Sequence, residues 1–158
     1  MKRLAATAAI TTALLAVTGC AEPTPHANEE PPATIGQFAS VIARHDKPIR
    51  DVVDESSGCL LTMLLGDSDV LAQRCVDSAG EGRFEVIEIK NRFGELGEAP
   101  AELDELVQRM IHGGEHLATT EDLDVRANCV EVGSDECATS VSSVLRALEE
   151  VIVPELDA

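Results

Sequence analysis

Apolar side chains recur at steps of three and four residues along much of residues 34–158. Residues with this spacing lie on one face of an α-helix. The first run contains Ile35, Phe38, Ile42, His45, Ile49, Val52, Ser56, Cys59 and Met63, and it spans about eight turns. It includes Pro48, which lacks an amide hydrogen and disfavours helical backbone at the preceding residue. We therefore predict a long amphipathic helix with a kink or a break near residues 46–48.

The second run follows a Leu-Leu-Gly-Asp-Ser-Asp segment at residues 64–69, which has the composition of a helix end, a turn and an N-cap. Its apolar residues are Ala72, Val76, Ala79, Val86, Ile89, Phe93 and Leu96. Residues 84–89 also have β-strand propensity. Strict alternation fails there and the chain offers no partner strand, so we favour a second helix.

Two more runs predict a third and a fourth helix. The third starts at or near Pro100, a residue favoured in the first helical turn, and its apolar stripe contains Gly113 beside Gly114. These glycines either allow a neighbouring helix to approach closely or end the helix early. The fourth extends from about Ser134 to Val153, and we expect Pro154 to stop it.

Four amphipathic helices joined by short or modest turns predict an all-α fold, an antiparallel up-down-up-down four-helix bundle over residues 34–158. The chain has only three Phe and neither Tyr nor Trp. The core must therefore consist mainly of closely packed Leu, Val, Ile and Ala side chains.

The first 20 residues have a different character. Lys2 and Arg3 precede an uncharged stretch, residues 4–18, which is too short to span a bilayer but has the length of a signal-peptide core. The following Val17-Thr18-Gly19-Cys20 resembles the lipobox of bacterial lipoproteins: an aliphatic residue, a small residue, Gly or Ala, and an obligate Cys. The resemblance implies that the Cys20 thiol is lipidated and that cleavage precedes it. The alternatives are an ordinary secretory signal and an uncleaved N-terminal helix.

This resemblance divides the chain into three parts: a signal peptide (1–19), a Pro-rich disordered tether (20–33) and a helical domain (34–158). Cleavage before Cys20 removes two basic residues, so the charge of −17 becomes −19, with 10 basic residues against 29 acidic ones. Such an acidic chain with few aromatic residues is unsuited to nucleic acid. An anionic membrane surface would also repel it, so we expect the tether to hold the domain away from lipid headgroups.

Four cysteines remain once Cys20 is set aside, and an even number in an exported chain indicates disulfides. Cys59 and Cys75 are equidistant from the first predicted turn, and Cys129 and Cys137 are equidistant from Gly133. Residues equidistant from a turn face each other in an antiparallel hairpin. We therefore predict the pairs Cys59–Cys75 and Cys129–Cys137. A metal site is the competing interpretation, but these spacings match no paired-ligand motif.

Residues 112–116, His-Gly-Gly-Glu-His, resemble the inverted zinc-peptidase signature. The resemblance implies that His112 and His116 bind zinc and that Glu115 acts as the general base. That family also needs an acidic ligand far downstream in a larger domain, and only 42 residues follow His116. We expect both histidines at the solvent edge of the third helix, with weak metal binding as the alternative and peptidase activity as a third interpretation.

His45 lies within the first apolar stripe, so we predict a partly buried histidine with a backbone or carboxylate partner. The sequence contains no CxxCH motif, which disfavours a c-type haem, and nothing specific supports a b-type haem held by Met63 or Met110 with a histidine. Acidic pairs such as Glu121-Asp122 are interpreted as solvated surface, with divalent-cation binding as the alternative. We expect no cofactor.

Together these observations predict a protein anchored to a bacterial membrane by its N-terminal lipid and located outside the cytoplasm. We expect it to act as a binding or structural component of the cell envelope, with a protein or small-molecule partner and no enzymatic activity. The alternative is a metal-binding lipoprotein that uses His112 and His116.

Overall fold

The computed structural model describes residues 31–65 and 69–158. The predicted signal peptide, the lipidation site Cys20 and most of the predicted tether lie outside the described residues, as do residues 66–68. The helices are α1 (Ile35–Leu65), α2 (Asp69–Leu96), α3 (Asp104–Thr119), α4 (Val125–Asn128), α5 (Asp135–Ala147) and α6 (Val153–Leu156). A 3₁₀ turn occupies Glu121–Leu123, and a π-helical turn, called here the π segment, occupies Leu148–Ile152. The described part of the chain contains no β-strand, so the predicted all-α class is confirmed.

The helices α1 and α2 form an antiparallel hairpin. Near one end the rings of Phe38 and Phe93 pack with centroids 5.2 Å apart, and near the other Cys59 and Cys75 are joined by a disulfide. The helix α2 includes residues 84–89, so the helical interpretation of that segment is confirmed. It ends where Gly97 adopts a φ of 81°, a left-handed conformation that suits glycine.

The helix α1 continues without interruption through Pro48, so a break does not occur. A proline inside a helix costs roughly 3 kcal/mol. On both sides of Pro48, however, α1 buries apolar side chains, namely Phe38 before it and Ile49 and Val52 after it. Full burial of each such aliphatic side chain contributes about 1.5–3 kcal/mol. Burial of the apolar face therefore offsets the missing hydrogen bond.

The helix α3 begins at Asp104, four residues after Pro100. Residues 100–103 form a preceding turn in which the Leu103 amide donates to the Pro100 carbonyl over 2.8 Å. Asp104 and Glu105 therefore occupy the first helical turn, where the helix dipole favours negative charge. The buried Gly113 and Gly114 do not end α3, which continues to Thr119. Of the two predicted roles for these glycines, close helix approach is confirmed.

The predicted fourth helix is divided into α5, the π segment and α6. Ser134 caps α5, because its hydroxyl accepts a hydrogen bond from the Cys137 amide at 3.2 Å. The sequence predicts that Pro154 stops the helix, and this prediction is wrong, because Pro154 lies within α6. In the π segment the Val153 amide donates to the Leu148 carbonyl five residues earlier. This wider turn changes the helical register before Pro154, whose missing amide hydrogen then falls in the first turn of α6, where it disrupts little.

The helix α2 is central in the described part of the chain, since it packs against α1, α3 and α5. The core is mainly aliphatic, as composition predicts, and also contains two phenylalanines, Met110 and three of the disulfide cysteines. The connection between α3 and α5 also contributes buried side chains, Leu123 and Val125. None of the helices within the described residues is long and apolar enough to cross a membrane.

Candidate functional site

The three residues of the His-x-x-Glu-His motif are solvent-exposed on α3, as the sequence predicts for its histidines. His112 and His116 are one helical turn apart, and the His116 Nδ1 atom is 3.1 Å from the Thr120 hydroxyl. Across residues 31–65 and 69–158, no group of three or more His, Cys, Asp or Glu residues is arranged to hold a metal ion. The motif therefore provides two histidines and a nearby carboxylate on an exposed helix surface.

The two histidines face different surface hollows. His116 borders a hollow of about 310 Å³ that reaches to Arg146 and Glu150. His112 borders a larger groove of about 410 Å³ between α3 and the C-terminal segment. We call this larger hollow the Val151 groove; it is lined by Glu105, Gln108, Arg109, His112, Gly113, Val151 and Glu155.

Beside the Val151 groove, α3 and the π segment approach closely. A Cβ atom added to Gly113 would lie 2.8 Å from the Cδ1 atom of Ile152, so the glycine allows contact that a side chain would hinder. Ile152 is buried, whereas its neighbour Val151 is 49% exposed. The π segment thus directs one aliphatic side chain into the core and leaves the next at the groove. Single π-helical turns of this kind are frequent at functional sites.

An ion-pair network forms one side of the groove. Arg109 donates from Nε to Glu155 over 2.7 Å and from Nη1 to Glu105 over 2.6 Å. The hydrogen bond to Glu155 is the main cause that raises the pKa of Arg109 above its ordinary value. The Glu155 side chain is only 18% exposed, while that of Glu105 is 89% exposed. Two carboxylates therefore share one guanidinium, which leaves this side of the groove with a net negative charge.

His45 is buried at 6% exposure, and its Nδ1 atom contacts the carboxylate of Glu85 on α2. The sequence predicts a partly buried histidine with a backbone or a carboxylate partner; the structure buries it further and shows the carboxylate. The two methionines considered above as haem ligands belong to the core region: Met110 is fully buried in the core, and Met63 is partly buried and packs against the core. The His45–Glu85 pair joins α1 to α2 and faces the hairpin interface, so we assign it a structural role.

The structure contains the two disulfides that the spacing predicts. The Cα atoms are 5.2 Å apart in Cys59–Cys75 and 4.4 Å apart in Cys129–Cys137. The first joins α1 to α2, and the second joins the end of α4 to the start of α5. Disulfides persist in oxidising compartments, so the two bonds favour a location outside the cytoplasm.

The Val151 groove is not predicted by the sequence. The sequence draws attention to His112 but associates it with His116, whereas the structure groups it with Arg109, Val151 and Glu155. The one local signal is Pro154, which implies a change in the last helix without indicating that a π turn accommodates it. No protein-family model, curated protein or solved structure matches this chain.

Proposed function

We propose that this chain is a lipid-anchored, extracytoplasmic protein that acts as a binding or structural component of a bacterial envelope. The observation that carries the proposal is Val17-Thr18-Gly19-Cys20, which follows a short uncharged segment and precedes an acidic, Pro-rich stretch. A single acyl chain binds a membrane only marginally, so lasting attachment requires a second acyl chain or another membrane contact. Two disulfides among the described residues support the same compartment.

The proposal includes an up-down-up-down arrangement of four long helical units: α1, α2, α3 and the continuous stretch from α5 to α6. The contacts of α2 with α1 and α3 support it, as do the contact of α5 with α1 and those of α3 with the π segment and α6. In this arrangement the Val151 groove lies on the outer surface between the third and fourth units. Such a groove favours a binding role over a purely structural one, because ligand sites are concave and combine apolar walls with a few polar groups.

Replacing the proposed lipidation site tests the anchor. We expect Cys20→Ser to abolish labelling by radioactive palmitate and to move the protein from the membrane fraction to the soluble fraction. Thr18→Ser is the matched control, since it preserves a small residue in the motif and should leave both measurements unchanged. Continued membrane partition of Cys20→Ser would contradict the lipid anchor and indicate that the N-terminal segment itself holds the membrane.

The compartment is tested separately by mapping the cysteines in protein taken from its native host. Non-reducing peptide mass spectrometry should recover Cys59–Cys75 and Cys129–Cys137 as linked peptides. Free thiols at these four positions in freshly trapped cells would contradict an oxidising location.

The second candidate function is metal binding, and it is favoured by the exposure of His112 and His116 one helical turn apart on α3. Imidazoles with this spacing can ligate one Zn²⁺ or Cu²⁺ ion. Isothermal titration with each ion distinguishes the candidates. If binding or structural support is the main function, we expect no metal-ion dissociation constant below about tens of micromolar, because the ligand set is incomplete. A tight site that is lost in His112→Ala and retained in Glu115→Ala would favour the metal-binding function.

A further inference from the structure

We infer that the Val151 groove binds a small amphipathic organic cation, a molecule with an apolar body and an ammonium head. This inference deepens the proposed function, since it names the ligand class of a binding protein whose groove is described above. It rests on the shape of the groove, the nature of its wall and the charge of the two elements that form it.

The size and wall of the groove suit a compact organic molecule. Its volume of about 410 Å³ lies within the range of roughly 300–1,000 Å³ typical of small-molecule sites. Most of its surface is carbon, although several of its side chains end in charged or amide groups. Val151 and the bare backbone of Gly113 contribute to this apolar wall. An apolar ligand body can therefore displace water from this carbon surface, which is favourable.

The charges around the groove select the ligand head. The helix α3 and residues 148–158 together contain seven acidic residues and one basic residue, Arg109. Arg109 is already paired with Glu105 and Glu155, so it offers little attraction to an anion. The lining residues carry one net negative charge, and the other acidic residues of α3 and of residues 148–158 add further negative charge. A cationic head is therefore attracted and a carboxylate is repelled.

An inorganic divalent cation fits the same charge less well. The described residues contain no cluster of three candidate metal ligands, at this groove or elsewhere. The carbon wall would also contribute nothing to the binding of a bare ion. The coexistence of an apolar wall and a negative rim is what favours an organic cation.

The test compares three probes of similar size and shape: phenethylammonium, 2-phenylethanol and phenylacetate. The full chain is held in phosphatidylcholine nanodiscs, and the methyl resonances of Val151 and Ile152 are followed by NMR during titration. We expect saturable shifts with phenethylammonium and binding at least about fivefold weaker for the neutral alcohol, as one net charge at a partly solvated site implies. Phenylacetate should bind weakest, and added salt should reduce the preference for the cation.

Matched variants identify the surface responsible. Val151→Asp removes the apolar wall although it adds a negative charge, so it should abolish saturable binding, whereas Val130→Asp at an exposed site outside the groove should not. Val151→Ser provides a milder change if the aspartate variant does not fold. Glu155→Gln should bring the affinity for the cation close to that for the alcohol, and Glu131→Gln should have no effect.

Equal affinity for the three probes would overturn the inference, as would binding that survives in Val151→Ser. Absence of saturable binding by phenethylammonium would overturn it as well. The result is independent of the anchor: if the chain proves to be soluble, the same titration is performed without nanodiscs. Failure of the ligand inference therefore leaves the palmitate and partition measurements to decide the proposed lipid attachment.

Discussion

Replacement of Gly114 by alanine tests the close approach of α3 to α2. A Cβ atom at this position would lie 2.6 Å from the Cβ atom of Lys90 and 3.2 Å from the Val86 carbonyl oxygen. Both atoms are on or next to the α2 backbone, so a rotamer change cannot move them away. The two helices would have to separate by several tenths of an ångström at a buried position.

The magnitude follows from two opposing contributions. Alanine is favoured over glycine inside a helix by roughly 0.5–1 kcal/mol. Overpacking of a well-packed interior typically costs about 1–3 kcal/mol, and contact with backbone belongs at the upper end. We therefore expect Gly114→Ala to lower the free energy of unfolding by about 1–2 kcal/mol.

Gly80→Ala is the matched control, because Gly80 lies inside α2 and a Cβ atom there would meet nothing within 4 Å. Only the helix-propensity contribution remains, so this variant should be more stable than the parent by up to about 1 kcal/mol. Urea unfolding of the full chain, followed by far-ultraviolet circular dichroism, measures both values. The same chemical change should thus have opposite signs at the two positions. Gly114→Ala with stability equal to or above the parent would refute the proposed helix contact.

The same unfolding measurement tests two further contacts, the first of them with a control substitution. Ser134→Ala removes the hydroxyl that accepts from the Cys137 amide and should cost about 1 kcal/mol, as for other N-caps. Ser142→Ala, whose hydroxyl only donates to a carbonyl within α5, should change stability by less than about 0.5 kcal/mol, and equal losses in the two variants would contradict the cap. Glu85→Ala leaves the buried His45 without its carboxylate and should cost about 1–3 kcal/mol. An unchanged unfolding midpoint in this variant would show that the pair does not stabilise the hairpin.

The helices could be predicted from sequence where a local rule applies. Three-and-four spacing identifies the apolar face of α1 and α2, because the helical period depends on backbone geometry alone. The cysteine pairs follow from their symmetry about two turns, since an antiparallel hairpin brings equidistant residues together. The need of His45 for a hydrogen-bond partner follows from its position in an apolar stripe, but only the structure shows that this partner is the Glu85 carboxylate.

Other features depend on competition between local and tertiary effects, and there the sequence alone is a poor guide. Of the kink or break predicted at Pro48, the break does not occur, because burial of α1 on both sides keeps the chain helical. Pro154 predicts a helix end, but the π segment absorbs the register change and α6 continues. The local penalty of the interior Pro48 is roughly 3 kcal/mol, which is comparable to the burial of one or two aliphatic side chains. Pro154 costs less because it lies in the first turn of α6.

The sequence by itself therefore determined the helical class, the pairing of the cysteines and the acidic character of the chain. It also supplied the N-terminal motif on which the proposed anchor depends. The tertiary structure alone decided that His112 borders a groove with Arg109, Val151 and Glu155. Those residues come from segments about 40 positions apart, and they meet where the π segment and α6 pack against α3. No local pattern encodes that contact, since it requires two separate elements to pack at a single point.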